Sequence, residues 1–322
     1  VTAAIAASTQ MSGRGLRPYD PRRDMFALAS LIEIGFPGRL EEAGERLIRG
    51  MRFFGRAGWL GAVLGRWVLP PAAFPYGYVW EQDGQVVGNA SVLPVRGFPE
   101  RWVMANVAVR PEYRGRGIAR DLVRACLELA RRRGGRKVIL QVDFGNEAAL
   151  ALYRSQGFQT LSKRRTWRGD ASRLKLPEAE SGKVRPRLPQ EWRQQWALAR
   201  RLYPEGVIWP YPTSAALFRP LHLERLGRLE EPRNWIWVDD ERILGSLTHR
   251  CGPTPGTLRL ILVVEPAVRG RAESDLLAVA LGGARTRARE YVLDYPLGQV
   301  EDLLRRMGWR PQRDLIWMGI DL

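Results

Sequence analysis

Apolar positions alternate in some stretches of the chain and recur at helical spacing in others, and the two patterns follow one another in a fixed order. Leu16-Arg17-Pro18 opens a first strand, and Phe26, Leu28, Leu31 and Ile32 then lie on one helical face behind Asp24, a residue suited to helix starts. Glu41 to Phe54 reads as a second helix. Trp59 to Leu69 is apolar, but Gly61, Gly65 and Arg66 interrupt it and Pro70-Pro71 ends it. It is too short to span a bilayer and reads either as a lid or wall on the substrate side or as a core segment. Tyr76 to Glu81 and Gln85 to Val92 flank Asp83-Gly84, a pair that tolerates positive φ and predicts a tight hairpin. The strand Met104 to Val109 follows, broken by Asn106 and halted by Pro111.

The most informative stretch comes next. Arg114-Gly115-Arg116-Gly117-Ile118-Ala119 joins that strand to a helix in which Ile118, Leu122, Val123, Cys126, Leu127, Leu129 and Ala130 share a face up to Gly134-Gly135. Two glycines let a ligand approach the backbone closely, and the first amides of a helix point outward without partners. With arginines alongside, this is an anion site suited to a diphosphate. Lys137 to Val142 is a second apolar strand, and Asn146 starts a short helix that reaches Tyr153 and ends at Gly157-Phe158.

In order and spacing, Asn106-Val107-Ala108-Val109-x-Pro111, Arg114-x-x-Gly117-x-Ala119 and Asn146-x-x-Ala149-x-x-Leu152-Tyr153-x-x-x-Gly157-Phe158 resemble the GCN5-related N-acetyltransferase (GNAT) superfamily. The resemblance implies acetyl-CoA as coenzyme, its pyrophosphate on the amides of Arg114, Gly115, Arg116, Gly117, Ile118 and Ala119. It also implies a pantetheine arm along Val107, Ala108 and Val109, with Asn146 among the coenzyme's residues and Tyr153 beside the sulfur. The expected activity is transfer of an acetyl group to a primary amine of an unidentified acceptor. A non-catalytic acyl-CoA sensor or interaction module is the alternative.

Side-chain chemistry supports the transferase reading. A tyrosine with a pKa near 10 stays protonated at neutral pH, so Tyr153 can donate to a departing thiolate as the catalytic acid. Deprotonating a lysine-like amine at pH 7 costs about 4–5 kcal/mol, against roughly 1 for an α-amine. A general base therefore matters more for the former. Glu81, Asn106, Gln141 and Asp143 are the candidates for a base or a water-holding residue, Gln141 standing where ribosomal-protein N-terminal acetyltransferases commonly carry glutamate.

The second half of the chain repeats the first. Val184-Arg185-Pro186 echoes Leu16-Arg17-Pro18, Trp235 to Leu247 echoes the hairpin with Gly245 for Gly88, and Leu262 to Arg271 echoes the Gly/Arg stretch. In this alignment Ala272 stands for Gly117, Glu273 for Ile118 and Leu304 for Tyr153, so the second copy has lost its chemistry, and Glu273 can answer the helix dipole from within the chain. The expected fold is α/β of the α+β kind: two tandem GNAT-like domains, each a mixed, mostly antiparallel sheet flanked by helices, packed on each other. We place a loose tail at 1–13, the catalytic domain at 14–168, a linker at 169–183 and the degenerate copy at 184–322, a layout similar to that of the mycothiol synthase family.

Composition adds limits. The 322 residues, 45% hydrophobic, suffice for two ordinary domains. Lys and Arg outnumber Asp and Glu by 51 to 34, a formal +17 that would steer an anionic coenzyme. The cations are nearly all arginines and are scattered, and no nucleic-acid reading motif is present, so neither specific nucleic-acid nor membrane binding is expected. Arg131-Arg132-Arg133 and Lys163-Arg164-Arg165 read as helix-end and strand-edge charges. Cys126 and Cys251 form no secreted framework, and neither His222 nor His249 has metal-ligand spacing, so no metal and a cytoplasmic location are expected. Trp59, Trp67, Trp80, Trp209 and Trp237 read as core packing or as an aromatic pocket wall.

Overall fold

The computed structural model describes residues 14–35, 42–69, 73–95, 97–179, 182–203, 215–220, 233–252, 255–282 and 288–322. The tail 1–13, Trp209 and His222 lie outside them. The chain forms two compact units, the first comprising 1–140, 147–159 and 319–322, the second 141–146 and 160–318.

The first unit begins with β1 (Arg14–Pro18) and three helices, α1 (Pro21–Gly35), α2 (Glu42–Arg56) and α3 (Gly58–Val68). The cap of α1 is Asp20, whose carboxylate accepts from Arg22 N–H at 2.9 Å, whereas Asp24 lies in the first turn and reaches back to Asp20 N–H at 2.9 Å. Asp24 is buried and takes both guanidinium nitrogens of Arg17, at 2.6 and 2.8 Å. Met25, Leu28, Ala29 and Ile32 of α1 meet Ile48 and Met51 of α2 and Ala62 of α3 in one apolar cluster. Each large side chain buried there stabilises the unit by about 1.5–3 kcal/mol.

Next come β2 (Tyr76–Gln82), β3 (Gln85–Val95) and β4 (Phe98–Val109) as an antiparallel meander, then α4 (Ile118–Arg132) and β5 (Lys137–Asp143), parallel to β4, and α5 (Glu147–Ser155). The hairpin is the one the sequence predicts, with Asp83 at φ 50° and Gly84 at φ 75°. Helix α4 lies on β3 at Gly88, where a Cβ would come within 3.1 Å of both Ile118 and Leu122. Residues 319–322 complete this unit: Leu322 N–H donates to Arg136 O at 2.8 Å, and Lys137 pairs with Asp321 at 3.4 Å.

The second unit contains β6 (Gln159–Asp170) from Thr160 onward, β7 (Val184–Pro186), α6 (Trp192–Leu202), β8 (Asn234–Asp239), β9 (Arg242–Cys251), β10 (Thr257–Val264), α7 (Arg271–Gly282), β11 (Glu290–Pro296), α8 (Glu301–Arg306) and β12 (Arg310–Asp321) up to Met318. Its strands run in the order β7-β8-β9-β10-β11-β6-β12. Residues 141–146 join it through Phe144 N–H, which donates to Asp314 O at 3.0 Å. Two charges of the Lys163-Arg164-Arg165 run are not edge charges: Arg164 is fully buried against Asp294, and Arg165 holds Asp314 at 2.6 Å and Glu301 at 2.6 Å. The apolar centre contains Trp167, Trp237, Leu262, Leu276, Tyr295 and Leu304.

His249 of β9 is buried against Trp235, ring centroids 4.5 Å apart, and neither ring nitrogen has a hydrogen-bond partner among the described residues. Burial, helped by the charge of Arg233, lowers its pKa from 6.5 to about 4. As pH falls through 6.5 the unfolded chain takes up this proton first, so the stabilisation present above that value is lost progressively toward pH 4. The loss should reach roughly 3 kcal/mol. Thermal melts across the window should show it in the wild type and not in His249→Gln; a flat wild-type profile would refute it.

Candidate active site

The site of the first unit begins where β4 leaves its neighbours. Parallel pairing with β5 runs through Arg101↔Lys137, Trp102↔Val138 and Val103↔Ile139 and stops, leaving the second half of β4 open along that edge. On the other edge the ladder jumps from Ser91↔Ala105 to Asn89↔Ala108, so two residues of β4, Asn106 and Val107, face one of β3. This is a β-bulge, and it puts Asn106 at φ 55°. Asn89, wholly buried, secures the bulge by donating to Asn106 O at 2.8 Å and to Ser91 Oγ at 3.1 Å. Sequence reasoning missed Asn89: a polar residue in an apolar strand was the available signal, but only the fold reveals its partner.

The chain then passes through a helical turn at Pro111–Tyr113 into the glycine segment. Arg114 Nε donates to Val109 O at 3.1 Å, fastening the turn to the end of β4. Arg116 stacks on the Tyr113 ring at 5.1 Å and donates to Glu112 O at 3.0 Å. Gly115 and Gly117 have φ of 76° and 80°, and a Cβ at either would meet nothing within 4 Å. They are needed for their dihedrals, and they leave the approach to the backbone open. Helix α4 has no side-chain cap, and its first helical bond runs from Asp121 N–H to Gly117 O at 3.1 Å. The amides of Ile118, Ala119 and Arg120 precede that bond and point out of the helix end. An exposed, uncapped helix start between two arginines fits a diphosphate.

Tyr153 lies on the buried face of α5, its ring 5.6 Å from that of Phe158 in an edge contact. Burial raises the pKa of its hydroxyl, which keeps the proton on through the neutral range. Among the base candidates, Glu81 is taken up by Arg17 and Arg23, each at 2.5 Å, so it serves as an ion-pair partner for β1 and α1. Asn106 is the bulge residue. Gln141, Asp143 and Asn146 fall in the second unit, where Asn146 N–H donates to Asp143 O at 3.0 Å. The structure thus brings Asn106, Val107, Ala108 and Val109 together with Arg114 and the glycine turn, and pairs Glu81 with Arg17 and Arg23.

The corresponding stretch of the second unit is built differently. The turns correspond through Arg114 N–H to Pro111 O and Arg269 N–H to Pro266 O, and the helix starts through Gly117 O and Gly270 O, which accept from Asp121 and Ser274. Two residues equivalent to Gly115-Arg116 are therefore missing, and Gly270, not Ala272, stands opposite Gly117. Glu273 is fully buried; it accepts from Gly270 N–H at 2.5 Å and from Tyr295 OH at 2.7 Å, so a carboxylate of the chain itself fills the helix start. Burial raises the pKa of Glu273, while those donors pull it down. The β9–β10 ladder runs without a shift from Leu258↔Cys251 to Val264↔Gly245, so the bulge is gone as well.

Residues 53–158 match the model of the Acetyltransferase (GNAT) family. N-alpha-acetyltransferase RimI of Mycobacterium tuberculosis is 42% identical over an alignment of 107 residues that covers 30% of this chain and 66% of that protein. The chain thus spans just under two thirds of that relative, and 37% and 41% of two other curated N-acetyltransferases. Over nearly the whole chain, a GCN5-related N-acetyltransferase from Sphaerobacter thermophilus superposes with a TM-score of 0.60 at 18% identity, covering 95% of each chain. A tandem GNAT protein from the clavulanic acid biosynthesis pathway superposes with a TM-score of 0.54 at 17% identity, covering 95% of this chain and 98% of its own. These two likenesses concern the fold alone.

Proposed function

We infer, from the premise that this chain belongs to the GCN5-related N-acetyltransferase superfamily, that its first unit transfers an acetyl group from acetyl-CoA to a primary amine. The observation that carries the reading is the uncapped start of α4, held at the end of a strand that is bulged on one edge and open on the other. Arg114 to Ala119 would hold the pyrophosphate and Val107 to Val109 the pantetheine arm. When bound, the thioester supplies the acyl group and a departing thiolate. Tyr153 would give the proton that such a thiolate needs, and the Val107 or Ala108 amide beside the bulge would donate to an oxyanion.

With Glu81 committed to two arginines, an acceptor that loses its proton readily suits the site best. An α-amine, costing roughly 1 kcal/mol to deprotonate at pH 7, is favoured over a lysine side chain. The second unit, with Glu273 in its helix start, is proposed to bind no coenzyme. Calorimetry with acetyl-CoA should give one site per chain, and transfer assays over a panel of amines should favour α-amines. Two equivalent sites would overturn the assignment to the first unit. Binding without transfer to any amine would leave the acyl-CoA sensor as the function.

A further inference from the structure

Helix α3 is apolar on the wrong side. Its buried positions are Gly61, Ala62 and Gly65, and its bulky side chains face out: Trp59 is 64% exposed, Leu64 58%, Trp67 89% and Val68 70%. The small residues are required where they are, since a Cβ on Gly61 would lie 1.7 Å from Phe54 O. None of the large ones is among the side chains that pack in the unit's apolar cluster. Phe53 of α2 is also exposed, at 73%. Scattered apolar residues on a surface call for no explanation, but a stripe along one helix does.

The charges carried by α3 and by the last residue of α2 are of one sign. Gly58–Val68 contains no acid, and Arg66 lies in its last turn with no ion pair among the described residues. Arg56 is exposed and lies over the Phe26 ring at 5.8 Å. The nearby acids Glu33 and Glu45 are paired with Arg52 and Arg49. A tryptophan stands near each end of the helix, about 12 Å apart along the axis. Indole rings at both ends of an apolar face, with arginines at its rim, fit a helix lying in the headgroup layer of a membrane.

We propose that α3 attaches this protein to the surface of a bilayer carrying anionic headgroups, its Trp59–Val68 face entering the interface and Arg56 and Arg66 meeting lipid phosphates. This replaces the expectation that the chain meets no membrane. Attachment is peripheral: eleven residues extend about 16 Å, roughly half a hydrocarbon core, and no helix among the described residues is long and apolar enough to cross. A second copy of the chain fits the same face less well, because docking would bring like arginines together in molecules of formal charge +17.

The test is sedimentation of the full chain with phosphatidylcholine vesicles, with and without phosphatidylglycerol. Binding should require the anionic lipid and weaken as salt is added. Trp59→Ser with Trp67→Ser should lower partitioning by about a hundredfold, since each buried ring is worth roughly tenfold or more. Arg66→Glu should lower it several-fold with the melting temperature unchanged, and it tests the proposal even if the double variant folds poorly. Absence of binding to anionic vesicles, binding that persists in both variants, or a wild-type dimer that Trp67→Ser dissolves would each overturn the assignment.

Discussion

Arg120→Glu should abolish acetyl-CoA binding while leaving the melting temperature unchanged or slightly raised. The expectation comes from the second unit. Arg120 is the third residue of α4, as Glu273 is of α7, and Glu273 folds back onto the backbone N–H of Gly270. A glutamate at this helix position satisfies the same kind of donor in many proteins and gains about 0.3–1 kcal/mol from the helix dipole. In the first unit it would occupy the amides proposed for the pyrophosphate and repel it. Calorimetry should record a loss of at least about 100-fold, or some 2.7 kcal/mol. Arg120→Gln, which removes the cation without adding a carboxylate, should retain most of the affinity. Wild-type affinity in Arg120→Glu would show that the coenzyme does not rest on this helix.

Tyr153→Phe should lower kcat by roughly a hundredfold to a thousandfold and leave the affinity for acetyl-CoA close to wild type. The ring contact with Phe158 survives the substitution, so the fold should not respond. Burial raises the Tyr153 pKa above its ordinary 10, so the protonated form persists to higher pH than in a free tyrosine. It is lost only as pH climbs through the raised value. The wild-type kcat should therefore show no alkaline fall from this group below about pH 10. An unchanged kcat in the variant would remove Tyr153 from the reaction.

Elements set by short-range pattern could be read from the sequence. The Asp83-Gly84 hairpin, the amphipathic α4 and the start of α5 after Asn146 are encoded by turn chemistry and apolar spacing, and the structure has each of them. Glu273 could also be read, because its position near a helix start already decides what its carboxylate meets. What escaped was anything fixed by partners distant in the chain. Asn106 looks like a polar interruption in an apolar run, and only the pairing of β4 with β3 makes it a bulge. Glu81 looked available because Arg17 and Arg23 reach it from β1 and α1. The shortening of the second glycine turn was hidden by a residue-by-residue alignment that tolerated Ala272 opposite Gly117. The apolar stretch Trp59 to Leu69 was visible as well, but periodicity locates a stripe without saying which side the protein covers.

The assignment of 319–322 to the first unit and 141–146 to the second has a consequence for how such a protein is made and kept. Residues 319–322 must be made before the half proposed to bind the coenzyme has its whole complement of backbone partners, so that half reaches its final form only after the chain between has been synthesised. A truncation after Arg168 removes Leu322, whose N–H answers Arg136, along with the entire second half. Two repeats interleaved in this way are not separable by a single cut in the chain, because residues 319–322 belong to the first unit.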